Sequence, residues 1–181
     1  EAQGVQGPSA TLVDRTVEGG RRLGVEHREA ARGGDALAVA ELAHRALALE
    51  HPFTQYHFFD ADAGRAALLE GLRAEYPARK ISVQVGDANE LIQKLVPRIA
   101  GRNTRGVAFL DPYGPHLDWR TVAALGSTKK FEVIINFPLG MAINRLITRS
   151  GDIPESWRAG LNGCFGGADW ESLVRVMQRE A

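Results

Sequence analysis

Gly106–Trp119 reads GVAFLDPYGPHLDW: five apolar or small residues run into an aspartate, then Pro-Tyr-Gly, then a polar turn. A near-continuous apolar run fits a strand buried on both faces, and proline followed by glycine forces a tight exit from it. The helical pattern LDWRTVAALGS comes directly after. Working outward, the same unit of strand, short turn and helix recurs. QYHFFD (Gln55–Asp60) leads into AGRAALLEGLRAEY. KISVQV (Lys80–Val85) leads through GDA into NELIQKLVPRIA, where Pro97 kinks or ends the helix. EVIINF (Glu132–Phe137) leads into PLGMAINRLITRSG. Such a succession predicts an open parallel α/β sheet. DALAVAELAHRALALE adds a helix before the first unit, with Asp35 as its expected cap, and GADWESLVRVMQRE adds an amphipathic one at the end.

Residues 1–34 differ in character. They are rich in Gly and Arg and predict a flexible or irregular segment, within which SATLV could form a short strand. Residues 35–181 are expected to form a single α/β domain. The chain of 181 residues is long enough to bury a sizeable core, and 44% hydrophobic and 24% charged residues are ordinary for a globular protein. No apolar run has the length of a membrane span. A single cysteine, Cys164, excludes an internal disulfide framework and points to a reducing cytoplasm. The 22 basic residues balance the 22 acidic ones, which argues against coating nucleic acid through bulk charge. The five histidines lack metal-ligand spacing.

In a sheet of this kind ligands bind outside the carboxyl ends of the strands. Those ends carry Asp60 and Asp62 in FFDAD, Gly86, Asp87 and Asn89 in VGDAN, Asp111 to Gly114 in DPYG, and Asn136 to Pro138. A row of acids along one edge suits a ligand rich in hydroxyls and amines, such as a nucleoside, although each aspartate could instead cap the helix that follows it. Asp60, with Asp62 second, is the candidate for ribose hydroxyls. Gly86, with no side chain in the way, lets Asp87 approach an adenine amino group, and Asn89 stands beside them. At the third end Asp111 accepts from an exocyclic amine, Pro112 fixes the turn, Tyr113 can stack on a base and Gly114 keeps the floor open. Arg145 and Arg149, one helical turn apart, could grip a phosphate or a partner's acidic surface. A Gly-rich cofactor loop after a first strand has no counterpart, and there is no P-loop and no nucleophile elbow.

GDANE, RGVAFLDPYG, LDWRTVAALGSTK and FPLGMAINRLITRSGDIPESWRAGLNGCFGGADW together resemble the three-Cys-motif partner proteins, TcmP, from about Pro52 to Trp170. That resemblance implies a Rossmann-like, methyltransferase-type parallel sheet with helices on both faces. It also implies a protein partner bearing three cysteines and radical-type chemistry. DPYG is in addition similar to the D-P-P-Y and D-P-F-G motifs of amino-methyltransferases that act on bases of DNA or tRNA. The opening I-D-x-F-A-G-x-G strand of the family is missing, so the sheet is expected to have open edges and an incomplete cofactor pocket. Two functions are therefore expected. One is an S-adenosylmethionine-dependent methyltransferase acting on an amine of a nucleic acid base, with Asp111, Pro112, Tyr113 and Gly114 catalytic and Asp60, Asp62, Gly86, Asp87 and Asn89 holding the cofactor. The other is a non-catalytic scaffold for the three-Cys-motif protein, docking through Trp157 and Trp170.

Overall fold

The computed structural model describes residues 9–16, 36–112, 114–137 and 153–172. In chain order the elements are β1 (Ser9–Thr16), α1 (Ala36–Leu47), β2 (Gln55–Asp60), α2 (Ala63–Glu75), β3 (Ile81–Val85), α3 (Ala88–Ile99), β4 (Thr104–Asp111), α4 (Trp119–Ser127), β5 (Phe131–Ile135) and α5 (Glu155–Phe165). The five strands form one sheet in the order β3-β2-β1-β4-β5. β2 pairs with β3 and β4 with β5 in parallel, as the strand–helix repeat predicts.

The central strand departs from expectation. β1 lies between β2 and β4 and runs antiparallel to both, with Ala10 opposite Phe59 on one side and Leu110 on the other. The chain is therefore a mixed α/β domain, not a uniformly parallel sheet, and the boundary expected at residue 35 does not separate β1 from the rest. Periodicity could not have supplied this. Alternation of side chains has the same form in either direction along a strand, and a strand of either polarity can satisfy its neighbours' backbone groups.

Because β1 opposes both neighbours, β2 and β4 point the same way, and so do their parallel partners. The carboxyl ends of β2, β3, β4 and β5 thus share one edge of the sheet. Side chains alternate across β2 and find helices on both faces. Tyr56 and Phe58 pack with Ala43 and Leu47 of α1 and with Leu69 and Leu72 of α2. Phe59 points the other way, into a core with Ile92 and Val96 of α3 and Leu125 of α4. Tyr56, Phe58 and Phe59 are at most 1% exposed, and burial of such side chains stabilises by roughly 1.5–3 kcal/mol each.

Helix starts are set by aspartates. Asp62 accepts from the Arg65 amide at 2.8 Å, Asp87 from the Asn89 amide at 2.8 Å, and Asp118 from the Arg120 amide at 2.8 Å. Each satisfies one of the orphan donors of a first helical turn, typically worth about 1 kcal/mol. Pro97 lies inside α3, which ends two residues later at Ile99. The N-cap expected at Asp35 lies outside the described residues.

Candidate functional site

The shared carboxyl edge is where the candidates converge, and β2 reaches it first. Asp60 is fully buried, and both of its oxygens are engaged. Arg65 of α2 donates from Nε to Oδ2 at 2.9 Å and from an Nη to Oδ1 at 2.8 Å, and the Asp62 amide donates to Oδ1 at 2.7 Å. This is a two-pronged guanidinium–carboxylate fork, the geometry that arginine's planar donors favour. The Asp60 carboxylate raises the Arg65 pKa above its ordinary value. The hydrogen bond from the Arg65 amide holds Asp62 below the usual carboxylate range.

At the next strand end, Gly86 has φ of 147°, and its amide donates to the Asp60 carbonyl at 2.9 Å, extending the β2–β3 ladder by one bond. A Cβ there would lie 3.3 Å from Leu91 Cδ1, so the backbone passes close to the first turn of α3. Asp87 caps α3. Asn89 is buried and its carboxamide is committed to the chain that follows β4: its Nδ2 donates to the His116 carbonyl at 2.9 Å, and its Oδ1 accepts from the Asp118 amide at 2.9 Å and from the Thr121 hydroxyl at 2.9 Å.

The third end is different in kind. Asp111 closes β4, and the Asn136 carboxamide, just past β5, donates to its Oδ1 at 2.8 Å. The Asn136 amide in turn donates to the Leu110 carbonyl at 2.9 Å, which fixes the two strand ends against each other. Among the described residues no ion pair forms to Asp111. Burial pushes its pKa above the ordinary carboxylate value, and the Asn136 hydrogen bond opposes the rise in part. Pro112 and Gly114 are buried, and Gly114 takes a φ of 65°, the left-handed turn that glycine accepts without strain.

The sheet therefore brings Asp60, Asp87, Asp111 and Asn136 to one edge but gives them different partners. Tyr113, Pro138, Arg145 and Arg149 lie outside the described residues. Of the two tryptophans expected as docking anchors, Trp157 is 40% exposed, whereas Trp170 is 6% exposed and packs with Leu161. Trp170 is thus a core residue, held further by its indole N–H donating to Asn162 Oδ1 at 2.8 Å. His116 is an exposed loop residue whose backbone, not its ring, makes the contact with Asn89. Sequence reasoning missed Arg65, although a basic residue in the first turn of a helix that starts just after a strand-end acid is a readable signal for a fork back onto that acid.

Among the described residues no His, Cys, Asp and Glu side chains are grouped to hold a metal ion, and no helix is long and apolar enough to cross a membrane. Compared with models of protein families, with curated proteins and with solved structures, the chain matches none.

Proposed function

We propose that this chain is a methyltransferase-like domain of the three-Cys-motif partner kind that binds, at its carboxyl edge, a planar amine of the nucleic acid base class. The observation that carries the reading is Asp111: a partly buried carboxylate, compensated among the described residues by one carboxamide and by no cation. Burying a carboxylate without a cation costs stability, and such costs concentrate at functional sites. Asp60 shows the contrast on the same edge, since Arg65 satisfies it internally. A ligand amine donating to Asp111 would offset the cost, and the neighbouring carboxamide adds a second polar group to orient it.

The residues do not fit S-adenosylmethionine as they are arranged. Asp60 is closed by Arg65, Asp62 and Asp87 are bound to helix amides, and the Asn89 carboxamide is taken up by the backbone of His116 and Asp118. β1 is antiparallel to β2 and β4, so its own carboxyl end lies at the opposite edge from the one where a glycine loop would hold the cofactor's amino-acid end. These observations favour the non-catalytic partner over methyl transfer. Calorimetric titration with adenosine, guanosine and cytidine, and in parallel with S-adenosylmethionine and S-adenosylhomocysteine, tests both. The reading expects a nucleoside to bind and to lose at least about tenfold in affinity in Asp111→Ala, as loss of a charge-assisted hydrogen bond does. Cofactor binding at micromolar strength that disappears in Asp60→Ala would reinstate the methyltransferase. No heat from any nucleoside with folded protein would sink the amine site.

A further inference from the structure

The connection from β4 to α4, described at residues 112 and 114–118, carries the turn that follows Asp111, and it is held from two sides. On one side is α5: a Cβ on Gly160 would lie 3.4 Å from Pro115 Cγ, so the proline ring rests close to the helix backbone. On the other is Asn89 in the first turn of α3. Its carboxamide spans the far end of the loop, donating to the His116 carbonyl and accepting from the Asp118 amide, both at 2.9 Å. Leu117, between these two anchored residues, is 4% exposed and packs into the core beneath. The carboxamide oxygen has a further contact that does not involve the loop. Thr121, 1% exposed, donates to Asn89 Oδ1 at 2.9 Å, and Gln93 Nε2 donates to the Thr121 hydroxyl at 3.1 Å.

A carboxamide is the one short side chain that both donates and accepts in a plane, and this position uses both functions. A carboxylate of the same shape would keep the acceptor contacts and place a charge against the His116 carbonyl. An apolar isostere would lose all three bonds and leave the Asp118 amide and His116 carbonyl without their partner.

We propose that Asn89 is a positioning residue for the Asp111 site: by bridging His116 and Asp118 it fixes the loop beyond Asp111 in one place, so that the amine-binding edge is preformed. A preformed edge spends less ligand binding energy on ordering. The inference rests on the amine-binding reading for its affinity test and stands apart from it for its structural test.

The experiment compares Asn89→Asp with Thr121→Val. The second variant removes a buried hydroxyl from the same network but leaves both loop bonds in place, so it controls for general loss of stability. Amide hydrogen exchange is followed by NMR at His116, Leu117 and Asp118, with Leu110 and Val133 as core references, and affinity for adenosine, guanosine and cytidine is measured by calorimetry. In Asn89→Asp, the loop amides should exchange at least about tenfold faster relative to the core references, while in Thr121→Val that ratio stays as in the wild type. Any nucleoside that binds the wild type should bind Asn89→Asp at least about tenfold more weakly and Thr121→Val within about twofold. Equal loop exchange in the two variants, or unchanged exchange in Asn89→Asp, overturns the positioning role. If Asn89→Asp does not fold, Asn89→Ser, which is small enough to be tolerated and still too short to bridge the loop, takes its place with the same expected outcomes. If no nucleoside binds the wild type, the amine reading fails while the exchange data still decide the role of Asn89.

Discussion

Arg65→Met is the substitution with the largest consequence on the candidate edge. It removes two hydrogen bonds of 2.8 and 2.9 Å from a carboxylate with no solvent exposure, leaving Asp60 the Asp62 amide. Breaking a buried pair from one side costs about 3–5 kcal/mol, because the remaining charge stays desolvated and uncompensated. The reverse change, Asp60→Asn, should cost less, about 1–3 kcal/mol: the Arg65 side chain is 19% exposed and can turn part of its charge to water. The double variant should recover part of the loss, giving a coupling well above 1 kcal/mol. Urea denaturation followed by circular dichroism measures all of this. For a chain of this size the expected loss corresponds to roughly 6–20 °C in Tm. A cost under about 1 kcal/mol for Arg65→Met would refute the reasoning. It would mean that water reaches Asp60, and that the carboxylate is open to a ribose after all.

Three further outcomes are expected. Asp111→Asn keeps a group that can hydrogen-bond Asn136 but removes a charge whose pKa burial raises; a raised carboxylate contributes most when protonated and loses that contribution as pH climbs through its folded value. The variant should therefore gain in Tm over wild type at neutral pH, with the difference shrinking in weak acid, while nucleoside binding is lost. Gly166→Ala puts a Cβ 2.5 Å from Trp119 Cδ1 at a φ of 77°, so it should cost at least about 1–2 kcal/mol from backbone strain, and more from the clash. In a Trp119→Ala background the clash portion should vanish and the strain portion remain; identical costs in both backgrounds would contradict the contact. Cys164 is 4% exposed, with its thiol pushed up to about 11 by burial, so at pH 8 roughly one molecule in a thousand carries the thiolate. Ellman's reagent should leave it unmodified in native protein and label it once urea unfolds the chain.

The strand–helix units were legible because apolar residues cluster in the strands and because Asp62, Asp87 and Asp118 announce helix starts, but burial on both faces holds along β2, whereas β4 alternates buried with half-buried residues and β3 and β5 are mostly half-buried. Those same aspartates also explain how far a chemical reading of the site could go. An acid at a strand end and an acid at a helix N-cap occupy neighbouring positions in the sequence, and composition does not tell them apart. Geometry assigned Asp62 and Asp87 to capping, gave Asp60 to Arg65, and left Asp111 with Asn136. Asn89 was singled out for a ligand, yet its bonds run to the backbone 27 and 29 residues later, a long-range contact that no local pattern encodes. The short SATLV run is legible as a strand, but its place at the centre of the sheet and its direction are set by pairing with residues far along the chain.

That central strand has a consequence for the order of assembly. β2 with β3, and β4 with β5, are each joined by one intervening helix, so each pair closes a short stretch of chain. β1 instead matches Thr11 with Phe58 and with Phe109, closures of about 47 and 98 residues, and loop-closure entropy disfavours such contacts early. Among the described strands, the hydrogen-bonded ladder between the two halves passes through β1 and nowhere else. Folding should thus begin in two local halves and finish when a single strand threads between them. The slowest step on the path would then be the one that turns two half-sheets into one domain and brings Asp60 and Asp111 onto a common edge.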